Sequence, residues 1–254
     1  MPELVQRLDC DGVATLTLNR PDKLNALNVA LFIELNDHIV TLQVQTESIG
    51  CVVLKGAGKC FSAGHDLKDI GAGEQLPREN FQAHVIDALS GLPQTVISAV
   101  HGHCYTGALE LALAADIIVA SDDVRFADTH ARWALTPRWG GSVRLPARIG
   151  RAAAIEMMHT CRTVGAQEAL RMGLCNRIFE ADGFAPSVQN YAAAILENSW
   201  YSLRGIKKLL ADTDGMRRDE ALAHELVHGP GRAPDYQDFV ARFTEKNKKG
   251  KRTG

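Results

Sequence analysis

Apolar and polar positions divide the chain into a first part that mixes strands with helices and a second part that is almost all helix. Residues 12–18 (GVATLTL) set Val13, Thr15 and Thr17 on one side and Ala14, Leu16 and Leu18 on the other. This period-two pattern predicts a strand with both faces at least partly covered. Asn19-Arg20-Pro21-Asp22 ends it, because proline lacks a ladder donor. Asn28 can cap a helix in which Leu31, Phe32, Leu35, Ile39 and Leu42 recur at helical spacing. A short buried strand follows at 51–55 (CVVLK), ended by Gly56 and Gly58. A glycine-containing turn, FSAGHDL, occupies 61–67, and a polar stretch leads to a helix near 79–91 that Pro93 stops. The pattern then predicts a strand at 96–100 (VISAV), a loop at His101-Gly102-His103, and a helix from Gly107 to about Ala115. Strands at 117–120 and, shorter, at 125–126 complete this part.

Strand and helix recur here without a close sequence repeat, which predicts an α/β fold of parallel ββα units rather than a sandwich. Past about residue 140 the spacing becomes helical, over 151–159, 166–172, 184–197, 199–212, 217–227 and 233–245, with one strand near 175–179. We therefore divide the chain into an α/β core, 1–190, and a helical C-terminal region, 191–254. The closing KNKKGKRTG reads as a solvated, frayed end.

Composition narrows the class. A 254-residue chain with 46% hydrophobic and 23% charged residues can bury a substantial core. A net charge of −2 gives no basic field for nucleic acid or an anionic membrane. The six cysteines form no CxxC pair, the usage of reduced thiols in a cytoplasmic protein rather than of a disulfide framework. The start, MPELVQRLDC, lacks a signal peptide's apolar segment, and the most apolar stretch, 109–120, is too short and too charged to span a bilayer.

Two loops carry candidate chemistry, and each follows a buried strand. In FSAGHDL, Gly64 allows a turn that other residues resist and can aim the N–H of His65 into a pocket; taken alone, the loop reads rather as an ordinary strand-to-helix turn with Asp66 near the helix N-terminus. In HGHCYTGALEL (101–111), Gly107 opens a helix, so its N–H is one of the unpaired donors of a first turn, at the positive end of the helix dipole. Glu110 follows inside an apolar run of Ala108, Leu109, Leu111, Ala112 and Leu113. A carboxylate there is costly without a task or partners, and burial would raise its pKa toward the range useful for proton transfer. A first-turn glutamate that merely complements the helix dipole is the alternative. Together the loops offer two backbone donors and one carboxylate, the equipment of enolate chemistry. Fixed donors stabilise the charge that builds on a thioester oxygen, and losing one costs roughly 3–4 kcal/mol.

On these loops the chain resembles the crotonase superfamily, also called the enoyl-CoA hydratase/isomerase family, from about residue 12 to about residue 246. LNRPDKLNALN (18–28), FSAGHDLK (61–68), AVHGHCYTGALELALAADIIVAS (99–121) and FADTHARWALTPRWGGSVRLPARIG (126–150) carry the likeness. It implies a crotonase-like spiral of ββα units with a C-terminal helical trimerisation region at 191–254, and a homotrimer or homohexamer. It implies an acyl-CoA substrate, whose coenzyme A is not a separate cofactor. By position, the oxyanion donors are the N–H groups of His65 and Gly107. Ala63 would meet the adenine through its backbone, and Lys23 and Lys68 would lie near the CoA phosphates. Glu110 falls on the first catalytic glutamate of the hydratases.

The second glutamate, four residues after a phenylalanine in those enzymes, is replaced here by His130, counted from Phe126. A histidine can exchange protons near neutral pH, so His130 is either the partner acid or base or a pocket-wall residue without a proton role; Asp128 is a second candidate to turn inward. Trp133 and Trp139 are expected beside the acyl channel, with packing in the core the plainer alternative. FSAGHD also occurs in the family's methylmalonyl-CoA decarboxylase, but that enzyme's tyrosine near Pro137 is missing. His101-x-His103 lacks a third nearby ligand, and no G-x-G-x-x-G or GxxxxGK[ST] motif occurs, so neither a metal nor a nucleotide cofactor is expected. The leading expectation is hydration of 2-enoyl-CoA. Isomerisation or decarboxylation of an acyl-CoA by the same enolate, and acyl-CoA binding without turnover, are the alternatives.

Overall fold

The computed structural model describes residues 3–66, 68, 71 and 73–250, with the backbone alone for 245–250. Leu67 of the FSAGHDL turn and the last four residues of the basic tail lie outside the described residues. The chain divides into two compact units, Met1–Ala193 and Ala194–Gly254.

In the first unit β1 (Val5–Cys10) turns back into β2 (Val13–Leu18), pairing antiparallel with Val5 opposite Leu18. The hydrophobic pattern did not reveal β1 because only Val5 of its six residues is buried; pairing with β2, not a covered face, makes it a strand. Helix α1 (Val29–Val44) starts where expected: the Asn28 side chain accepts the N–H of Leu31 at 3.0 Å, and the same five apolar residues are buried. Strand β3 (Cys51–Gly56), helix α2 (Phe81–Ser90) and strand β4 (Thr95–Val100) follow.

The segment read as a loop, His101-Gly102-His103, runs into a short strand β5 (His103–Tyr105), which leads to α3 (Gly107–Ala112). Helix α3 stops short of Ala115 because the chain tightens into turns at 113–115. Then come β6 (Ile117–Ser121), β7 (Arg125–Ala127), α4 (Gly141–Ile149), α5 (Arg151–Thr160), β8 (Val164–Gly165), α6 (Ala166–Arg171), β9 (Arg177–Phe179) and α7 (Phe184–Leu196), which crosses into the second unit. Helix α4 escaped the sequence reading because Pro146 lies inside it and arginines interrupt its apolar spacing.

The main sheet has the order β1-β2-β3-β4-β6-β9, parallel after the first pair, and β5-β7-β8 form a smaller sheet. Parallel strands buried on both faces read as near-continuous apolar runs; Val52, Val53, Leu54, Val96, Ile97, Ile118 and Val119 are all buried. Every residue of α3 is buried, Glu110 included. All six cysteines carry free thiols.

The second unit holds α8 (Trp200–Asp212), α9 (Arg218–His228) and α10 (Tyr236–Gly250). Ser199 caps α8 by accepting the N–H of Ser202, and its hydroxyl donates to Asp235. The expected start of the last helix at residue 233 moves to Tyr236. Among the described residues, no helix is long and apolar enough to cross a membrane.

Candidate active site

The carboxyl ends of the parallel strands meet two loops, and buried side chains pin the first. Asn25 is wholly buried in left-handed backbone (φ 52°). Its amide donates to the carbonyls of Ala57 and Cys60, both at 2.8 Å, and its oxygen accepts the N–H of Arg20 at 2.9 Å. Ser62 Oγ donates to the carbonyl of Asn25 and accepts the N–H of Gly64. Leu27 then bridges His65 in parallel fashion: its N–H donates to Gly64 O, and its carbonyl accepts the N–H of Asp66, both at 2.8 Å. Because successive peptide groups alternate in direction along an extended chain, the N–H of His65 faces away from Leu27. Among the described residues no acceptor is assigned to it.

The second loop turns sharply at Thr106, whose φ of 54° and ψ of −109° are unusual for a β-branched residue. Three bonds hold it there: its N–H donates to Ala127 O, its hydroxyl pairs with that of Thr129 at 2.6 Å, and it accepts the N–H of Thr129. The chain leaves this kink directly into α3, so the N–H of Gly107 is a first-turn donor. A side chain at Gly64 (φ 100°) would put its Cβ 2.6 Å from Tyr105 O and 3.7 Å from Gly107 N, so the two loops are in contact. A Cβ on Gly107 itself would fall 2.5 Å from Cζ3 of Trp139.

Glu110 is 2% exposed, and its carboxylate is held at one oxygen. Oε1 accepts the N–H groups of Trp139 (2.8 Å) and Gly141 (2.9 Å), and a Cβ at Gly141 would crowd that oxygen at 3.1 Å. Oε2 stands 3.5 Å from Nε2 of His130. Nδ1 of His130 lies 3.0 Å from Oδ2 of Asp128, whose Oδ1 also accepts the His130 N–H. Burial alone would push the His130 pKa down, but its bonds to Asp128 and Glu110 and their negative charge outweigh that and raise it to about 9. The result is a buried row of Asp128, His130 and Glu110. Asp128, expected as a possible inward-facing group, sits behind His130 and does not line the cavity.

A cavity of about 730 Å³ opens here, and His65, Gly107, Glu110 and His130 all line it. Ala63 and Lys68 also line it, whereas Lys23 sits exposed on a turn at Pro21–Lys23, outside the lining. Lys23 still acts on the site's edge: burial would raise the carboxyl of Asp66, but its bond to Arg20 and the charges of Arg20 and Lys23 hold it below its ordinary value. Trp139 is buried, packed edge-on to Phe32 and against the ring of His65 at 4.6 Å, while Trp133 is 54% exposed; both line the cavity. His101 bonds Gly58 O, and His103 packs on Tyr105. Among the described residues, no three side chains are grouped to hold a metal ion.

Sequence reasoning missed Glu74 and Gln82. The His65 ring donates through Nε2 to Glu74 Oε1 at 2.7 Å, and Gln82 donates to Glu74 Oε2 at 3.1 Å. Glu74 carries no local signal within its polar stretch. Gln82 does carry one, as a polar residue on the apolar face that Val85, Ile86 and Leu89 define in α2.

Comparison with known proteins gives the family. A family model described as enoyl-CoA hydratase/isomerase matches residues 9–251. A probable enoyl-CoA hydratase of Mycobacterium leprae is 32% identical over 239 residues, 92% of each chain. The 1,2-epoxyphenylacetyl-CoA isomerase of Escherichia coli is 30% identical over 244 residues, 92% of this chain and 93% of that one. A structure from Thermobifida fusca, solved in complex with CoA, superposes with a TM-score of 0.82 at 26% identity, covering 97% of this chain and 95% of the other.

Proposed function

Because the chain belongs to the enoyl-CoA hydratase/isomerase family and has its fold, we propose that it binds acyl-CoA thioesters and adds water across the double bond of 2-enoyl-CoA. The observation that carries this reading is the 3.5 Å pair of Glu110 Oε2 and His130 Nε2 on the wall of a cavity that His65 and Gly107 also line. Hydration needs one group to take a proton from water and another to give one to the α carbon. The pair supplies both, Glu110 as the base and His130, held protonated at neutral pH by its two acidic neighbours, as the acid.

In this mechanism the thioester oxygen rests between the N–H groups of His65 and Gly107, which stabilise the enolate. Glu110 Oε2 accepts a proton as the water oxygen bonds to the β carbon. His130 Nε2 then gives its proton to the α carbon, where the enolate's carbon–carbon π pair forms the new C–H bond while the oxygen's pair re-forms the thioester carbonyl. Transfer of the proton from Glu110 to His130 restores the starting state. Oε1 stays tied to Trp139 and Gly141, so only Oε2 is free to react. Asp128 keeps the His130 ring oriented and is a positioning residue. Ala63 and Lys68 would hold the adenine and phosphates of CoA, with Lys23 adding charge from outside the cavity.

With crotonyl-CoA and longer enoyl-CoAs, the wild type should consume the conjugated thioester, and Glu110→Gln and His130→Gln should each lower kcat by about 100-fold or more, with smaller changes in KM. If Glu110→Gln matches the wild type on every enoyl-CoA tried, the hydratase reading is wrong.

Isomerisation is a second reading, favoured by His130 in place of a second carboxylate and by the isomerases that the family includes. Assays with 3-enoyl-CoA separate it, since a shifted double bond would form without a hydroxyacyl product. We further propose a homotrimer or homohexamer assembled through the C-terminal helices, where Leu226 is 88% exposed, Val227 74% and Phe243 68%. The free thiols suit a reducing compartment such as the cytoplasm.

A further inference from the structure

Helix α2 turns one polar residue toward the cavity from an otherwise apolar face. Phe81, Val85, Ile86 and Leu89 are buried beside Gln82, which is 3% exposed. A buried amide is costly without partners, and its partner is Glu74, whose side chain is only 12% exposed. Among the described residues, Glu74 receives one hydrogen bond on each oxygen, from His65 and from Gln82. All three residues line the cavity. A carboxylate has about four acceptor sites, so among the described residues one on each oxygen is left for another donor.

In the acyl-CoA reading this polar group would meet the acyl chain rather than the phosphates. The start of helix α2 is tied to the wall of the cavity through Asn80, whose side chain accepts from Arg138 at 3.2 Å, next to Trp139. A carboxylate would also repel the phosphates of CoA. A plain alkyl chain laid against Glu74 would displace water from it and return no hydrogen bond. A hydroxyl would replace the water it displaces.

We infer that Glu74, held by His65 and Gln82, is a specificity-determining residue that selects acyl-CoA thioesters whose acyl chain bears a hydroxyl group beyond the β carbon over unsubstituted alkyl thioesters of equal length. This rests on the acyl-CoA reading above, but not on the chemical step.

Saturated thioesters cannot be hydrated, so binding can be measured without turnover. Calorimetry on the full chain would compare hexanoyl-CoA and octanoyl-CoA with their ω-hydroxy counterparts. At one of these lengths the wild type should bind the hydroxylated thioester about tenfold more tightly, the value of a hydrogen bond to a charged group. Glu74→Leu should abolish or reverse that preference while free CoA binds as before. Glu74→Gln, which keeps the shape, should leave an intermediate preference and serves if the leucine variant does not fold. Equal or tighter binding of the alkyl thioester at both lengths overturns the inference, as does a preference that persists in both variants. If no acyl-CoA binds at all, the acyl-CoA reading itself falls and this inference with it.

Discussion

A single residue, His130, shows how a side chain's chemistry depends on what surrounds it. Between two carboxylates its pKa rises to about 9 from an ordinary 6.5. Because the folded value is the higher one, its contribution to stability is complete below about pH 6.5 and is lost as the pH rises through about 9. If His130 is the acid, kcat should fall across the same upper range. Asp128→Asn removes the carboxylate that His130 leans on, so that alkaline limb should move toward neutral pH by on the order of one unit. A pH profile of kcat for both proteins checks this, and identical alkaline limbs would separate Asp128 from the proton chemistry. A merely structural aspartate would change KM or stability and leave the limb in place.

At the scale of elements, the site depends on how the turn before α1 clasps the loop after β3. Asn25 and Asn28 flank that turn with different duties. Among the described residues the Asn28 side chain only caps the first turn of α1, so Asn28→Ala should cost about 1 kcal/mol. Asn25 bonds two carbonyls and one N–H across the loop. Its loss strands buried groups, and Asn25→Ala should cost about 2–4 kcal/mol. It should also lower kcat/KM well beyond the effect at Asn28, because Leu27 aligns the peptide of His65 through the same clasp. Urea denaturation and steady-state kinetics on the two variants would show it, and equal losses would contradict the clasp.

For the molecule as a whole, the first unit contains all the residues of the cavity. The second leaves large side chains in water, Leu210 at 70% and Leu226 at 88% among them. The homotrimer or homohexamer proposed above would cover such side chains. Sedimentation at micromolar concentration should therefore give the mass of three or six chains, and Leu226→Asp with Phe243→Asp should shift it toward one. A wild-type protein that sediments as a single chain would exclude the assembly.

Sequence alone determined the α/β alternation, the buried strands, the start of α1 at Asn28 and the two loops with His65, Gly107 and Glu110. These are local properties: periodicity sets which face is covered, and glycine marks where the backbone must turn. What α4 and β1 would be was not legible, because a proline and polar residues hid one and pairing with β2 made the other. Only tertiary structure decided that Asp128 backs His130, that Oε1 of Glu110 is tied to Trp139 and Gly141, and that Glu74 reaches His65 and Gln82. A hydrogen bond forms between groups about 3 Å apart in space. Which groups those are depends on how distant segments pack, and no spacing along the chain records it.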